Sequence, residues 1–187
     1  DNDDLRRGMP TNHKVYGEAI ALLAGDSLLT YAFECASMSK NEASVTVKAI
    51  NAISKAAGIA GMIGGQVIDI NGANNYDELK TVHKMKTGAL IRLCAYLGAI
   101  AAGCTEDEIN AIDKFADNLG IAFQIKDDIL DVESTTEELG KPIGSDDKRD
   151  LTTYVTLFGI EGAKEKLDEH TKLAKDALAP FGDKAEF

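Results

Sequence analysis

Phe123-Gln124-Ile125-Lys126-Asp127-Asp128-Ile129-Leu130-Asp131 stands at the end of a long apolar stretch that contains no proline. Asp127 and Asp131 are four residues apart, so a helix puts them on one face. Asp128 sits about 100° round from Asp127 by the helix period. Gln124 precedes them by one turn and joins the stripe. Three carboxylates on one helix repel each other and cost helix stability. Held beside Phe123, Ile125, Ile129 and Leu130, such hard oxygen ligands suit Mg²⁺, which takes a few carboxylates together with waters and substrate phosphates. An acidic surface patch is the alternative reading of this stretch alone.

The pattern outward from this stretch is a succession of helices. Thr105-Glu106-Asp107-Glu108 is a capping box, and it predicts a helix over about 106–132. Asn75-Tyr76-Asp77-Glu78 reads as an N-cap with a glutamate that caps back. The helix it opens runs to about Ala102 and ends at Gly103, with Lys86-Thr87-Gly88 interrupting it. Helices are also predicted over about 17–38, weakly interrupted at Gly25-Asp26, and over about 43–69, whose end is rich in glycine at Gly58, Gly61, Gly64 and Gly65. A polar loop over about 133–149 holds Gly140, Pro142 and Gly144, and helices over about 150–158 and 160–179 close the chain at Pro180. No segment shows the sustained alternation of a strand. The expectation is an all-α fold in a single domain, residues 1–187.

Composition sets bounds on function. The chain has 187 residues, of which 44% are hydrophobic and 27% charged, values of a globular protein with a core. A formal charge of −11 and a pI of about 4.7 exclude general affinity for nucleic acid or anionic membrane. They leave phosphate ligands open, because divalent cations bridge two anions. Cys35, Cys94 and Cys104 have no paired spacing and read as reduced, partly buried thiols of a cytoplasmic protein. No signal peptide and no apolar run of membrane length is read. The chain begins at Asp1 without an initiator Met and stops at Phe187, so both ends are expected to lie inside a longer protein.

Basic groups accompany the acids. Asp1-Asn2-Asp3-Asp4-Leu5-Arg6-Arg7-Gly8 sets guanidinium forks beside carboxylates, an arrangement suited to metal-bridged phosphates. A charged tail is the plainer reading of that segment. Lys86 and Thr87 place an ammonium and a hydroxyl side by side, although an exposed lysine on a helix is the commoner case. Lys141 follows Gly140 in the polar loop, where it could fold over an anion. His13, His83 and His170 are scattered and do not make a metal set, and no Ser-His-Asp constellation is present.

Taken in order, these pieces resemble the trans-isoprenyl diphosphate synthases. The matching segments run from Asp1 to Gly8, then Pro10-Thr11-Asn12-His13, Gly17-Glu18, Leu23-Ala24-Gly25-Asp26, Gly64-Gly65-Gln66 with Asp69, and His83 to Leu90. They continue with Phe123 to Asp131, Leu139-Gly140-Lys141, Gly144-Ser145-Asp146 and Thr152-Thr153-Tyr154. The resemblance implies an isoprenoid-synthase helical bundle around a central cavity, with N-terminal helices missing here. It implies a Mg²⁺-dependent prenyltransferase that joins isopentenyl diphosphate to an allylic diphosphate, farnesyl diphosphate being the favoured product and geranylgeranyl diphosphate the alternative. It implies metal ligation by Asp1, Asp127, Asp128 and Asp131. Arg6 resembles the allylic-diphosphate arginine and Arg7 the isopentenyl-diphosphate arginine. Lys86, Thr87 and Gln124 resemble the polar groups beside the allylic group, and Lys141 a diphosphate-binding lysine. A homodimer without nucleic acid or stable membrane insertion is the implied assembly. The departure is Leu151, where the family usually has a lysine: either Lys148 or Arg149 substitutes for it, or one phosphate contact is absent. A non-catalytic partner subunit and a plain helical scaffold are the alternatives from other classes.

Overall fold

The computed structural model describes residues 3–134 and 152–185. The expectations for Asp1, Gly140, Lys141, Pro142, Gly144, Lys148, Arg149 and Leu151 lie outside those residues. The described chain is helical except for one small hairpin. β1 (Leu5–Arg6) pairs antiparallel with β2 (Met9–Pro10). The two-residue turn between them is Arg7 at φ 53° and Gly8 at φ 72°, the doubly positive φ of a hairpin turn that matches strand twist. The sequence reading had no strand here, because two residues on each side are too few to show alternation.

α1 (Asn12–Tyr16) leads through Gly17 into α2 (Glu18–Ser37), which runs unbroken through Gly25-Asp26. α2 buries no residue and exposes Ile20, Leu22, Leu23, Leu28 and Tyr31. By length and composition it could cross a membrane, a correction to the reading that no such run exists. A single helix of that kind is weak grounds for a span. The single helix expected over 43–69 is two, α3 (Ala43–Ala57) and α4 (Met62–Asn71). They part at Gly58–Gly61, where Gly61 takes φ −136° and ψ −124°. A Cβ on Gly61 would stand 2.1 Å from the Ala56 carbonyl oxygen, so only glycine closes this corner.

α5 (Tyr76–Val82) opens as expected, with the Asn75 side chain accepting from the Glu78 N–H. Glu78 caps back one residue earlier than expected, accepting from the Asn74 N–H at 2.9 Å. The interruption at Lys86-Thr87-Gly88 is a π-helical segment, His83–Gly88, before α6 (Ala89–Ala101). Gly103 follows at φ 73°, the left-handed residue that ends a helix. α7 (Glu106–Glu133) carries both halves of the Thr105–Glu108 capping box. α8 (Tyr154–Ala177) parts at Gly159, whose φ of 70° and ψ of 172° are not helical, so the two helices expected after the loop meet where the sequence placed their junction. A short 3₁₀ segment, Ala179–Ala185, continues past Pro180.

α7 is the axis of the core. Its Ile121, Ile125 and Ile129, spaced by four, are buried with Leu79, Tyr154 and Ala163. Each such isoleucine contributes about 1.5–3 kcal/mol by leaving water. Packing of α7 on α8 is the largest interface, followed by α6 on α7 and α4 on the π segment. The cysteines are free, but Cys35 and Cys94 are exposed and not partly buried.

Two glycines fix the π segment between its neighbours. A Cβ on Gly65 of α4 would meet the Lys86 backbone N at 2.3 Å, and a Cβ on Gly120 of α7 would meet the Gly88 Cα at 3.0 Å. In the full-length protein Gly65→Ala should cost about 2 kcal/mol or more, since backbone cannot yield as a side chain does. Gly98, in α6 with open space around it, gives the control: Gly98→Ala should stabilise by about 0.5–1 kcal/mol. Urea unfolding of the two variants checks the contrast, and similar effects of both would refute the close approach.

Candidate active site

The core stripe sets the rotational phase of α7 and so the direction of its polar residues. Gly120, Gln124, Asp127 and Asp131 recur at i, i+4, i+7 and i+11, one helix face. Gly120 of that face touches Gly88, so the face lies along the π segment that carries Lys86 and Thr87. Gln124, Asp127, Lys86 and Thr87 are all half-buried. π segments interrupt helices rarely and tend to mark functional positions.

Lys86 does not point into solvent. Its Nζ donates to Asp69 Oδ2 of α4 at 2.5 Å. His83, three residues earlier, is 5% exposed, and its Nδ1 is buried without a hydrogen-bond partner. Burial is the chief cause that pushes the imidazole down from the ordinary 6.5 to about 4. The Asp69 carboxylate opposes this, the Lys86 ammonium adds to it, and the Asp127 carboxylate opposes it. Charges from α4, the π segment and α7 therefore act on one buried ring. His83 stacks on Tyr154, with ring centroids 5.6 Å apart and planes within 20°. Burial, helped by Tyr76 and Asp128, pushes the Tyr154 phenol up, so it stays protonated. Its hydroxyl is buried without a partner in hydrogen-bond geometry, and Tyr76 acts on it from nearby, the two rings lying edge-to-face at 5.8 Å.

Asp128 turns toward α8. Its Oδ2 accepts from the Tyr154 N–H at 2.8 Å, which satisfies a donor in the first turn of that helix and sets a negative charge at its positive end. Asp131 is 8% exposed. Among the described residues no group of three or more His, Cys, Asp or Glu is placed to hold a metal. The donor chemistry still fits Mg²⁺, which characteristically uses one or two carboxylates and leaves its remaining positions to water and phosphate. Arg6 and Arg7 are exposed on the hairpin. Asp1 and Lys141 lie outside the described residues.

Sequence reasoning missed roles for Asp69, His83 and Tyr154, although it had singled out the segments that contain them. The available signal was Gly65-x-x-x-Asp69, which puts the glycine and the carboxylate on one face of α4.

Comparison with known proteins decides the relationship. The polyprenyl synthetase family profile matches residues 1–180. The chain belongs to the polyprenyl synthetase family. Among curated polyprenyl synthetases it is 46% identical over 184 residues to the farnesyl diphosphate synthase of Geobacillus stearothermophilus, covering 95% of this chain and 62% of that protein. It is 46% identical over 189 residues to the chloroplastic geranylgeranyl pyrophosphate synthase of Capsicum annuum, covering 97% of this chain and 51% of that one. The fold superposes on the geranyltransferase of Helicobacter pylori crystallised with magnesium and isoprenyl diphosphate, with a TM-score of 0.87 at 34% identity, over 98% of this chain and 61% of that one. The chain thus spans between half and two thirds of the length of these relatives, and its fold is that of the all-α isoprenyl diphosphate synthases.

The buried His83 predicts a pH dependence in this polyprenyl synthetase. Its folded pKa of about 4 lies below its unfolded value, so the unfolded chain takes up the proton first as pH falls. The stability it contributes is full above pH about 6.5 and is lost progressively toward pH 4. In the full-length protein, the stability lost between pH 7 and pH 5 should be smaller in His83→Phe than in wild type by about 2 kcal/mol. Equal losses, measured by urea titration at both values, would show the ring to be solvated.

Proposed function

We propose that the protein is a trans-prenyltransferase that condenses isopentenyl diphosphate with an allylic diphosphate, giving a short-chain prenyl diphosphate. The single observation that carries this reading is the opposition of Lys86 and Thr87 on the π segment to Gln124 and Asp127 on α7. The two elements that carry this ammonium, hydroxyl, amide and carboxylate approach at Gly88 and Gly120, and Lys86 and Asp127 both act on the buried His83 ring. Residues 1–187 are then part of one catalytic domain.

In this reading Lys86 and Thr87 bind the allylic diphosphate through an ammonium and a hydroxyl. Gln124 adds amide contacts, Arg6 holds the same diphosphate, and Arg7 holds that of isopentenyl diphosphate by guanidinium forks. Lys141 is a further diphosphate-binding lysine in this reading. Asp127, Asp128 and Asp131, with Asp1, would hold Mg²⁺, which supplies charge neutralisation to the departing pyrophosphate. That ligation is favoured by the magnesium and isoprenyl diphosphate present in the Helicobacter pylori relative.

Fixed positive groups favour departure of the pyrophosphate, because charge develops on its oxygens in the transition state. The C–O bond breaks with its electron pair on pyrophosphate and leaves an allylic cation. The isopentenyl double bond attacks that cation, and the proton lost from the adduct goes to the released pyrophosphate. Water must be kept away meanwhile. A cavity of about 460 Å³ lined by Leu29, Ala32, Ala36, Ile53, Leu90, Leu93 and Leu97 begins one turn beyond Lys86 and suits a hydrocarbon chain.

Farnesyl diphosphate is the proposed product, in line with the name of the bacterial relative. Geranylgeranyl diphosphate is the second reading, favoured by the Capsicum annuum relative at the same identity. The proposed setting is cytoplasmic. The proposed assembly is a homodimer, for which the exposed leucines of α2 offer a surface.

In the full-length protein, Asp127→Ala should lower the rate of condensation of isopentenyl diphosphate with geranyl diphosphate by about 10²–10³-fold. Undiminished turnover would refute the assignment. A purified homo-oligomer without activity would favour a partner-subunit role.

A further inference from the structure

The π segment is attached to α4 at two points of one residue. Gly65 lets the Lys86 backbone approach so closely that a Cβ on Gly65 would stand 2.3 Å from the Lys86 N and 2.8 Å from its Cα. Asp69, one turn further along the same face of α4, accepts a hydrogen bond from the other end of Lys86, its Nζ, at 2.5 Å. A lysine side chain has four rotatable bonds, so fixing its end costs rotamer entropy. Here its first and last atoms are both fixed against one rigid helix. The pair is neither a solvated surface bridge nor a fully buried one, with side-chain exposures of 29% for Lys86 and 24% for Asp69. The ammonium therefore keeps donors available on its open side.

We propose that Asp69 is a positioning residue that holds the Lys86 ammonium toward the α7 polar face, ready for the diphosphate of the allylic substrate. The role rests on the reaction proposed above. Asp69 does not touch the reacting atoms. It acts through Lys86, which without it would sample rotamers away from the site. The arrangement also explains the glycine at position 65. Any larger residue would push the Lys86 backbone off α4 and carry the ammonium out of reach of Asp69. Two other basic groups pair with carboxylates of α7 instead of α4. Lys84 is held by Asp117 at 3.0 Å, and Arg92 by Asp113 at 2.7 Å. His83 is buried and carries no charge at neutral pH.

Two measurements on the full-length protein test this. The first is independent of turnover: acetic anhydride labelling of Lys86, read by peptide mass spectrometry. A carboxylate-paired amine is shielded, so Asp69→Asn should raise the labelling rate of Lys86 several-fold and leave that of Lys172 unchanged. The second is a kinetic cycle of Asp69→Ala, Lys86→Ala and the double variant. Asp69→Ala should lower kcat by about 10–100-fold, the loss expected when a group is misplaced by an ångström or so. It should leave KM for isopentenyl diphosphate within about twofold. The double variant should be no slower than Lys86→Ala alone, because residues that act as one unit are not additive. Asp69→Glu, which keeps the charge, should retain more activity than Asp69→Asn. Unchanged labelling in Asp69→Asn, or losses that multiply in the double variant, would overturn the positioning role while leaving the reaction in place. Absence of condensation by the wild-type protein would overturn the reaction assignment and this role with it.

Discussion

The arrangement depends on how closely three backbones approach one another. Gly65 of α4 and Gly120 of α7 remove the side chains that would hold the π segment away. The segment is thereby fixed between two helices whose other contacts are ordinary core packing. An α-helix through His83–Gly88 would present its residues in a different rotational order. The wider π turn keeps Lys86 against α4 and Gly88 against α7 at once. Interiors are packed too densely for such a contact to slide, so the positions of Lys86 and Thr87 are set by glycines that carry no chemistry themselves.

α7 serves two purposes with two faces. Ile121, Ile125 and Ile129 bury one stripe, and that burial fixes the direction of Gln124, Asp127 and Asp131 on another. Asp128 stands between these faces and ties α7 to α8 through the Tyr154 N–H. Tyr154 then stacks on His83. A continuous set of contacts leads from the acidic stripe through α8 to the π segment. The net charge of −11 makes the placement of each cation matter. Lys86 and Lys84 are both tied to aspartates, and His83 is kept neutral by burial.

Much of the fold was legible in the sequence where local chemistry sets the backbone. Asn75, Gly103 and the Thr105–Glu108 box mark real helix ends, because caps satisfy orphan backbone groups regardless of the rest of the molecule. The α7 stripe was legible because its apolar spacing is strict. The corner at Gly58–Gly61 was not, since glycines inside an apolar run read equally as helix packing. The hairpin at Arg7-Gly8 was hidden for a similar reason: two paired residues on each side leave no periodic trace, whereas the break at Gly159 was legible as a glycine between two helical runs. In the candidate site, the residue types on α7 and the interruption at Lys86 were readable. The Lys86–Asp69 pair, the isolation of His83 Nδ1 and the turning of Asp128 toward α8 come from tertiary contacts between residues far apart in the chain, which spacing does not encode.

The central claim is that the glycine-pinned π segment and the α7 carboxylates face one diphosphate. A crystal structure of the full-length protein grown with Mg²⁺ and inorganic pyrophosphate tests it most directly. The account predicts pyrophosphate oxygens within hydrogen-bond reach of Lys86 Nζ and a metal ion on Asp127, with His83–Gly88 still π-helical. Pyrophosphate bound away from Lys86, or a site in which Asp127 faces bulk solvent, would contradict it.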